Sequence, residues 1–232
     1  MDELLTSSAR EAVRRLKAGE VTPLELVQAA LVRIREVDPL VNAVPTVCAE
    51  RAEAQAKRIM RGEIAPPEDG RGWLAGLPIV IKDLVDVEGV RTTYGSTIFR
   101  DHVPDRSAWE VERLEAHGAV VVGKSNTPEF GAGAQTFNEV FGVTRNPWNT
   151  ALTCGGSSGG AAVALATGEA WLADGSDLGG SLRTPAGFCG VVGLRPSPGR
   201  VPHGPGAAPF QTLAVEGPMG RDVRDVALML DA

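Results

Sequence analysis

Apolar residues along this chain change their spacing near residue 73. Before it they recur at helical intervals. Leu24, Leu26, Val27, Ala30, Leu31 and Ile34 place a broad apolar stripe on one helix face. Thr22-Pro23-Leu24-Glu25 opens that helix with an N-cap, a proline at the first helical position and a capping-box glutamate. Ser8 to Glu11 forms a second capping box, starting a shorter helix that Gly19 can end. Around Val47 to Met60, Ala alternates with Glu, Arg and Lys as a third helix. Two prolines and several acidic residues then make Gly62 to Gly72 a polar linker.

Beyond the linker the runs are short and continuous. Leu77-Pro78-Ile79-Val80-Ile81 and Ala119-Val120-Val121-Val122-Gly123 are rich in β-branched residues and predict buried strands. Ser107-Ala108-Trp109-Glu110 predicts a helix to about His117, and Thr127-Pro128-Glu129 another short one. Strands alternating with helices predict an α/β fold with a substantially parallel sheet. Val223, Val226, Ala227 and Leu230 form the stripe of a last helix starting near Arg221-Asp222. That helix has no cap before Ala232, so the chain is expected to be part of a longer polypeptide. The organisation expected is a helical segment over 1–62 packed outside an α/β core over 73–232.

Charge and cysteine narrow the setting. A net charge of −6 removes the broad attraction on which nucleic-acid binders rely. No run approaches the ~18 apolar residues of a membrane span. Met1-Asp2-Glu3 lacks the basic, apolar opening of a signal peptide. Three cysteines do not form a disulfide scaffold. A cytoplasmic globular protein is expected.

Two residue types then point to chemistry. Glycine accounts for 28 of 232 residues, against a usual ~7%, and much of it lies between Gly118 and Gly206. Cys154-Gly155-Gly156-Ser157-Ser158-Gly159-Gly160 runs straight into an Ala/Val/Leu helix, unlike a flexible linker. Such a turn presents backbone N–H groups where negative charge develops. The Lys-Ser/Thr ending of a phosphate loop is missing. Only four lysines occur among 23 basic residues, and Lys82 follows Pro78-Ile79-Val80-Ile81. Burial there would lower its pKa towards that of a general base. On spacing alone, a solvated lysine at a strand end, paired with Asp83, is the stronger reading. His102, His117 and His203 lie outside any glycine-rich turn beside a serine, so a Ser-His-Asp arrangement has little support.

Collinear segments along the chain resemble the amidase signature family. The two most specific are Gly155 to Gly160 and Gly175-Ser176-Asp177-Leu178-Gly179-Gly180-Ser181-Leu182-Arg183. Gly76 to Asp83, Thr93 to Ser96, Gly123 to Phe130, Thr144 to Asn149 and Gly190 to Pro196 accompany them, and Gly217-Pro218-Met219 follows. The resemblance implies an amidase signature fold, with a mixed, twisted sheet flanked by helices, and hydrolysis of a carboxylic acid amide. It implies Ser181 as acylated nucleophile, Ser157 as the bridging serine behind a cis peptide bond, and Lys82 as terminal base. Backbone N–H groups of Leu178, Gly179, Gly180 and Ser181 would form the oxyanion hole. Ser158, Asp177 and Arg183 would support the site, with Ser158 bonding the bridging serine or Lys82. Lys124 ends an apolar strand as Lys82 does, but the family pattern selects Lys82. Cys154 and Cys189 are expected as small buried side chains, and Trp148, Trp171 and Tyr94 as packing.

The expected partner is a small-molecule amide, with no direct nucleic-acid or membrane contact, a homodimer left open, and no metal or organic cofactor. Leu-Thr-Cys before the serine turn, where amidotransferase A-type subunits usually have Val-Pro, favours a free-standing hydrolase. An amidotransferase component releasing ammonia for aminoacyl-tRNA, and an inactive fragment, are the alternatives.

Overall fold

A computed structural model describes residues 2–202 and 211–232 of the 232-residue chain; His203 lies outside them. The chain opens with α1 (Asp2–Thr6), α2 (Ala9–Lys17), α3 (Pro23–Val41), β1 (Thr46–Val47) and α4 (Ala49–Met60). The middle holds β2 (Pro78–Lys82), α5 (Trp109–Ala116), β3 (Val120–Ser125) and the small antiparallel pair β4 (Phe137–Asn138) and β5 (Gly142–Val143). Then come α6 (Gly159–Thr167), β6 (Leu172–Asp177), α7 (Arg183–Cys189), β7 (Val192–Gly193), β8 (Val215–Gly220) and α8 (Val223–Asp231). No helix among the described residues is long and apolar enough to cross a membrane.

Six strands form one mixed sheet in the order β1-β3-β2-β6-β8-β7. Parallel pairing is confined to β3, β2 and β6, and the other three strands join antiparallel. The sheet is thus less parallel than strand–helix alternation suggests, because β8 returns beside β6 over its whole length, from Leu172↔Gly220 to Asp177↔Val215.

Alternation explains the continuous apolar runs. Ile79 and Ile81 enter one core with Leu26, Val121, Trp171 and Met229. Val80, between them, enters the opposite core with Val27, Val122, Val163 and Leu165. A strand buried on both faces is apolar along its length, and a polar side chain there needs a buried partner. α6 is apolar all round and lies inside. It packs closely because of its first residues: a Cβ on Gly160 would collide with the Asn126 backbone nitrogen.

Local signals were met unevenly. Thr22 and Glu25 form the complete capping box, with Pro23 in the first turn. At Ser8 only half the box exists: its hydroxyl caps Glu11 N–H, while the Glu11 carboxylate turns to Arg14 and Arg15. Thr46 and Val47 pair with β3 instead of opening a helix. Ser107 does not cap α5; its hydroxyl accepts the Glu88 N–H at 2.9 Å, and Ala108 holds the cap position. After Pro128 only a 3₁₀ turn forms, over Glu129–Gly131. The buried side of α8 is rotated from the expected stripe. Asp225, Val226 and Met229 are buried, whereas Val223 is 70% exposed. Asp225 faces inward because it accepts the Arg10 backbone N–H at 3.0 Å.

Candidate active site

Lys82 is the last residue of β2, a central strand, and its side chain is fully buried. Its ammonium nitrogen donates to three hydroxyls: Ser157 Oγ at 2.7 Å, Ser158 Oγ at 2.9 Å and Ser176 Oγ at 2.9 Å. The solvated Lys82–Asp83 pair expected from spacing does not form, because Lys82 points into the core and Asp83 turns to Thr93 and Lys124. Burial pulls Lys82 down from 10.5 to about 8, against the opposing pull of Glu216, Asp174 and Asp177.

The serines reach Lys82 from two directions. Ser157 and Ser158 sit at the entry to α6, and the Gly156–Ser157 peptide bond is cis. Ser176 comes from β6, just before Asp177 and the turn that follows it. Ser158 Oγ accepts the Ser176 N–H at 3.2 Å, which holds turn and strand together. Gly175 is needed here: a Cβ would meet Ser158 Oγ at 2.8 Å and Leu182 Cδ2 at 2.7 Å. On the open side, a Cβ on Gly131 would lie 3.5 Å from Ser157 Oγ. A cavity of about 570 Å³ adjoins this loop, lined in part by Gly95, Gln135 and Phe137.

Ser181 follows in the turn between β6 and α7. Its carbonyl accepts the Ser158 N–H at 3.2 Å, so the two serine-bearing turns are in direct backbone contact. The Ser181 side chain is half-buried. No hydrogen bond joins its hydroxyl to Ser157 or Lys82 among the described residues.

Asp177 builds the turn that carries Ser181. Its carboxylate accepts Gly180 N–H at 2.8 Å, Leu182 N–H at 3.2 Å, Arg183 at 2.9 and 3.0 Å, and Arg195 at 3.1 Å. Burial alone would raise this carboxyl; those donors outweigh it and hold it well below the usual carboxylate range. The Gly180 N–H, expected to point at an oxyanion, is therefore donated to Asp177. Leu178 and Gly179 are exposed at the tip of the turn.

Lys124 is one strand away on β3 and equally buried. Its amine donates to Val85 C=O at 2.6 Å and Thr92 Oγ1 at 2.8 Å, and lies 3.5 Å from Asp83. Neither described histidine bonds a serine: His102 stacks on Tyr94, and His117 lines a different cavity. Cys154 and Cys189 are buried, and desolvation raises their thiols to about 11 and about 12. Trp171 is a core residue, while Trp148 is 73% exposed and tied to the Cys189 carbonyl through its indole N–H at 2.8 Å. Among the described residues no three His, Cys, Asp or Glu side chains gather as a metal site.

Four residues of this region escaped sequence reading. Ser176 and Arg195 lie inside recognised segments without distinctive spacing. Asp174 and Glu216 are buried carboxyls on β6 and β8, and an acidic residue directly after Trp171-Leu172-Ala173 was a usable signal.

Comparison with known proteins finds the same pattern elsewhere. A family model described as Amidase matches residues 25–232. The A-type subunit of glutamyl-tRNA(Gln) amidotransferase from Roseiflexus sp. (strain RS-1) is 45% identical over 234 aligned positions, covering 99% of this chain and 46% of that protein. The solved structure of 6-aminohexanoate cyclic dimer hydrolase with substrate superposes with a TM-score of 0.88 at 35% identity, over 97% of this chain and 46% of that one. The A-type subunit of glutamyl-tRNA(Gln) amidotransferase from Thermotoga maritima superposes with a TM-score of 0.78 at 33% identity, over 98% and 46%. The chain thus spans about half the length of the relatives it matches.

Proposed function

The chain belongs to the amidase signature family, and from that premise we propose that it hydrolyses a small carboxylic acid amide through an acyl-enzyme on Ser181. Ser157 relays protons and Lys82 is the terminal base. The observation that carries this is the Lys82 amine, buried, 2.7 Å from Ser157 Oγ and hydrogen-bonded to hydroxyls.

In the free-amine form Lys82 accepts the Ser157 proton as Ser157 takes that of Ser181, and Ser181 Oγ attacks the amide carbonyl. Backbone N–H groups of Leu178, Gly179 and Ser181 receive the oxyanion, since Gly180 N–H is occupied by Asp177. Collapse breaks the C–N bond as Ser157 protonates the leaving nitrogen and recovers its own proton from Lys82. Water then releases the acid. The α/β region 73–232 carries this chemistry, with 1–62 packed against it. Three free cysteines fit a reducing, cytoplasmic setting.

Treatment with a small fluorophosphonate, read by intact mass, tests the proposal. One adduct on the wild-type chain and none on Ser181→Ala is expected; an adduct that persists on the variant overturns Ser181 as nucleophile.

A second reading, ammonia release within an amidotransferase, is favoured by the name of the Roseiflexus relative. Against it stand the higher TM-score with the hydrolase, 0.88 against 0.78, and Leu152-Thr153-Cys154 before the serine turn. Glutaminase activity without activity on other amides would reverse the preference.

A further inference from the structure

Beneath Lys82, on the side away from the serine turns, lie two buried carboxyls. Asp174 is 4% exposed and Glu216 is 8% exposed. They stand on adjacent antiparallel strands, Asp174 opposite Pro218 and Glu216 opposite Ser176, so they are diagonal neighbours on one sheet face. Asp174 Oδ1 accepts the backbone N–H of Lys82 at 2.5 Å. Glu216 is cross-strand partner to Ser176, whose hydroxyl takes one of the Lys82 protons. Among the described residues Asp174 Oδ2 has no hydrogen-bond partner, and both residues line a cavity of about 500 Å³.

We propose that Asp174 and Glu216 are positioning residues that anchor the strand end bearing Lys82 and bias the charge of its amine from below. The proposal rests on Lys82 being the terminal base. Asp174, buried and with Glu216 on the adjacent strand, holds a proton near neutrality. While it does, the Lys82 ammonium has less counter-charge and the free amine is favoured. Once Asp174 ionises, the ammonium is favoured again. Burial followed by repulsion from Glu216 raises Asp174 to about 7, against the Lys82 N–H and the two lysines.

The charged surroundings are mixed. On the sheet they are Lys82, Lys124, Asp177 and the pair itself. Around the cavity α5 and its end contribute Glu110, Arg113 and His117, α8 contributes Asp231, and the loops contribute Asp69, Arg71 and Arg200. Among these groups Asp174 bonds the Lys82 backbone and Glu216 pairs across from Ser176, and both are buried.

With four lysines in the chain, ¹³Cε-lysine NMR can follow the Lys82 amine without any need for turnover. Asp174→Asn keeps an acceptor for the Lys82 N–H and removes the charge; Glu216→Gln does the same for its partner. Each substitution should lower the Lys82 midpoint by half a pH unit or more, about a three-fold larger ratio of free amine to ammonium at a given pH. The double variant should lower it further. A purely structural role would leave the midpoint in place, and an unmoved midpoint in whichever variants fold overturns the proposal. In the wild type itself, the Lys82 resonance should show a second inflection near neutral pH as Asp174 titrates; a single-step curve also overturns it. A wild-type Lys82 with an ordinary midpoint near 10.4 would instead sink the reading of Lys82 as base.

Discussion

Two lysines stand at the C-terminal ends of adjacent parallel strands, Lys82 last in β2 and Lys124 next to last in β3; both are fully buried, and they have opposite surroundings. Lys124 meets a carbonyl, a threonine and the Asp83 carboxylate at 3.5 Å. Lys82 meets three serine hydroxyls and, among the described residues, no carboxylate within ion-pair distance. Burial lowers the pKa of both. What separates them is what the amine touches. The hydroxyl beside Lys124 belongs to Thr92, which is fully buried, and the amine closes the loop from Val85 to Thr93. Beside Lys82 the adjoining hydroxyls lead towards Ser181. Depth in the core therefore does not separate the proposed base from the other lysine; the partners do.

The strongest way to break this contrast is to delete each amine. Lys82→Ala should slow acylation of Ser181 by about 10²–10⁴-fold, the usual share of a general base, with the circular dichroism spectrum unchanged. Equal labelling rates near pH 7 would refute the role. Lys124→Ala should do the reverse and unfold the chain at lower urea. It strands Asp83 in the core, at a cost of about 3–5 kcal/mol. If Lys124→Ala is as stable as wild type, the Asp83 contact is not structural.

The pH profile sharpens the same contrast. With Lys82 at about 8, only about a tenth is free amine at pH 7. Because the free amine is the active form, acylation should rise with pH through 8 and level off above it. A rate that stays flat from pH 6 to 9 would be inconsistent with this titration. The smallest effect belongs to Ser176→Ala, which leaves Ser157 and Ser158 on the amine. It removes one hydrogen bond, about 1 kcal/mol, so a several-fold loss of acylation rate is expected. A loss as large as that of Lys82→Ala would make Ser176, and not Ser157, the relay.

Much of this was legible in the order of residues. The Thr22 capping box, the two strands buried on both faces and the serine-rich turn before an all-apolar helix are local features. Each depends on neighbours within a few positions. Ser107, the first turn after Pro128 and the inward face of α8 were misread for the opposite reason. Ser107 is drawn to Glu88 and Asp225 to Arg10, partners that no local window contains. Gly180 is a third case, since only the folded turn shows its N–H committed to Asp177.

The sequence by itself determined which segments become strands and helices and which residues carry the family pattern, Lys82, Ser157 and Ser181 among them. Both are written in spacing and side-chain type. Tertiary structure decided which buried lysine meets hydroxyls, that Ser176 joins them from 94 positions away, and that Asp174 and Glu216 lie beneath. The cause is strand register. Pairing β2 with β3 and β6, and β6 with β8, sets which side chains share a face, and that pairing follows from packing two cores at once.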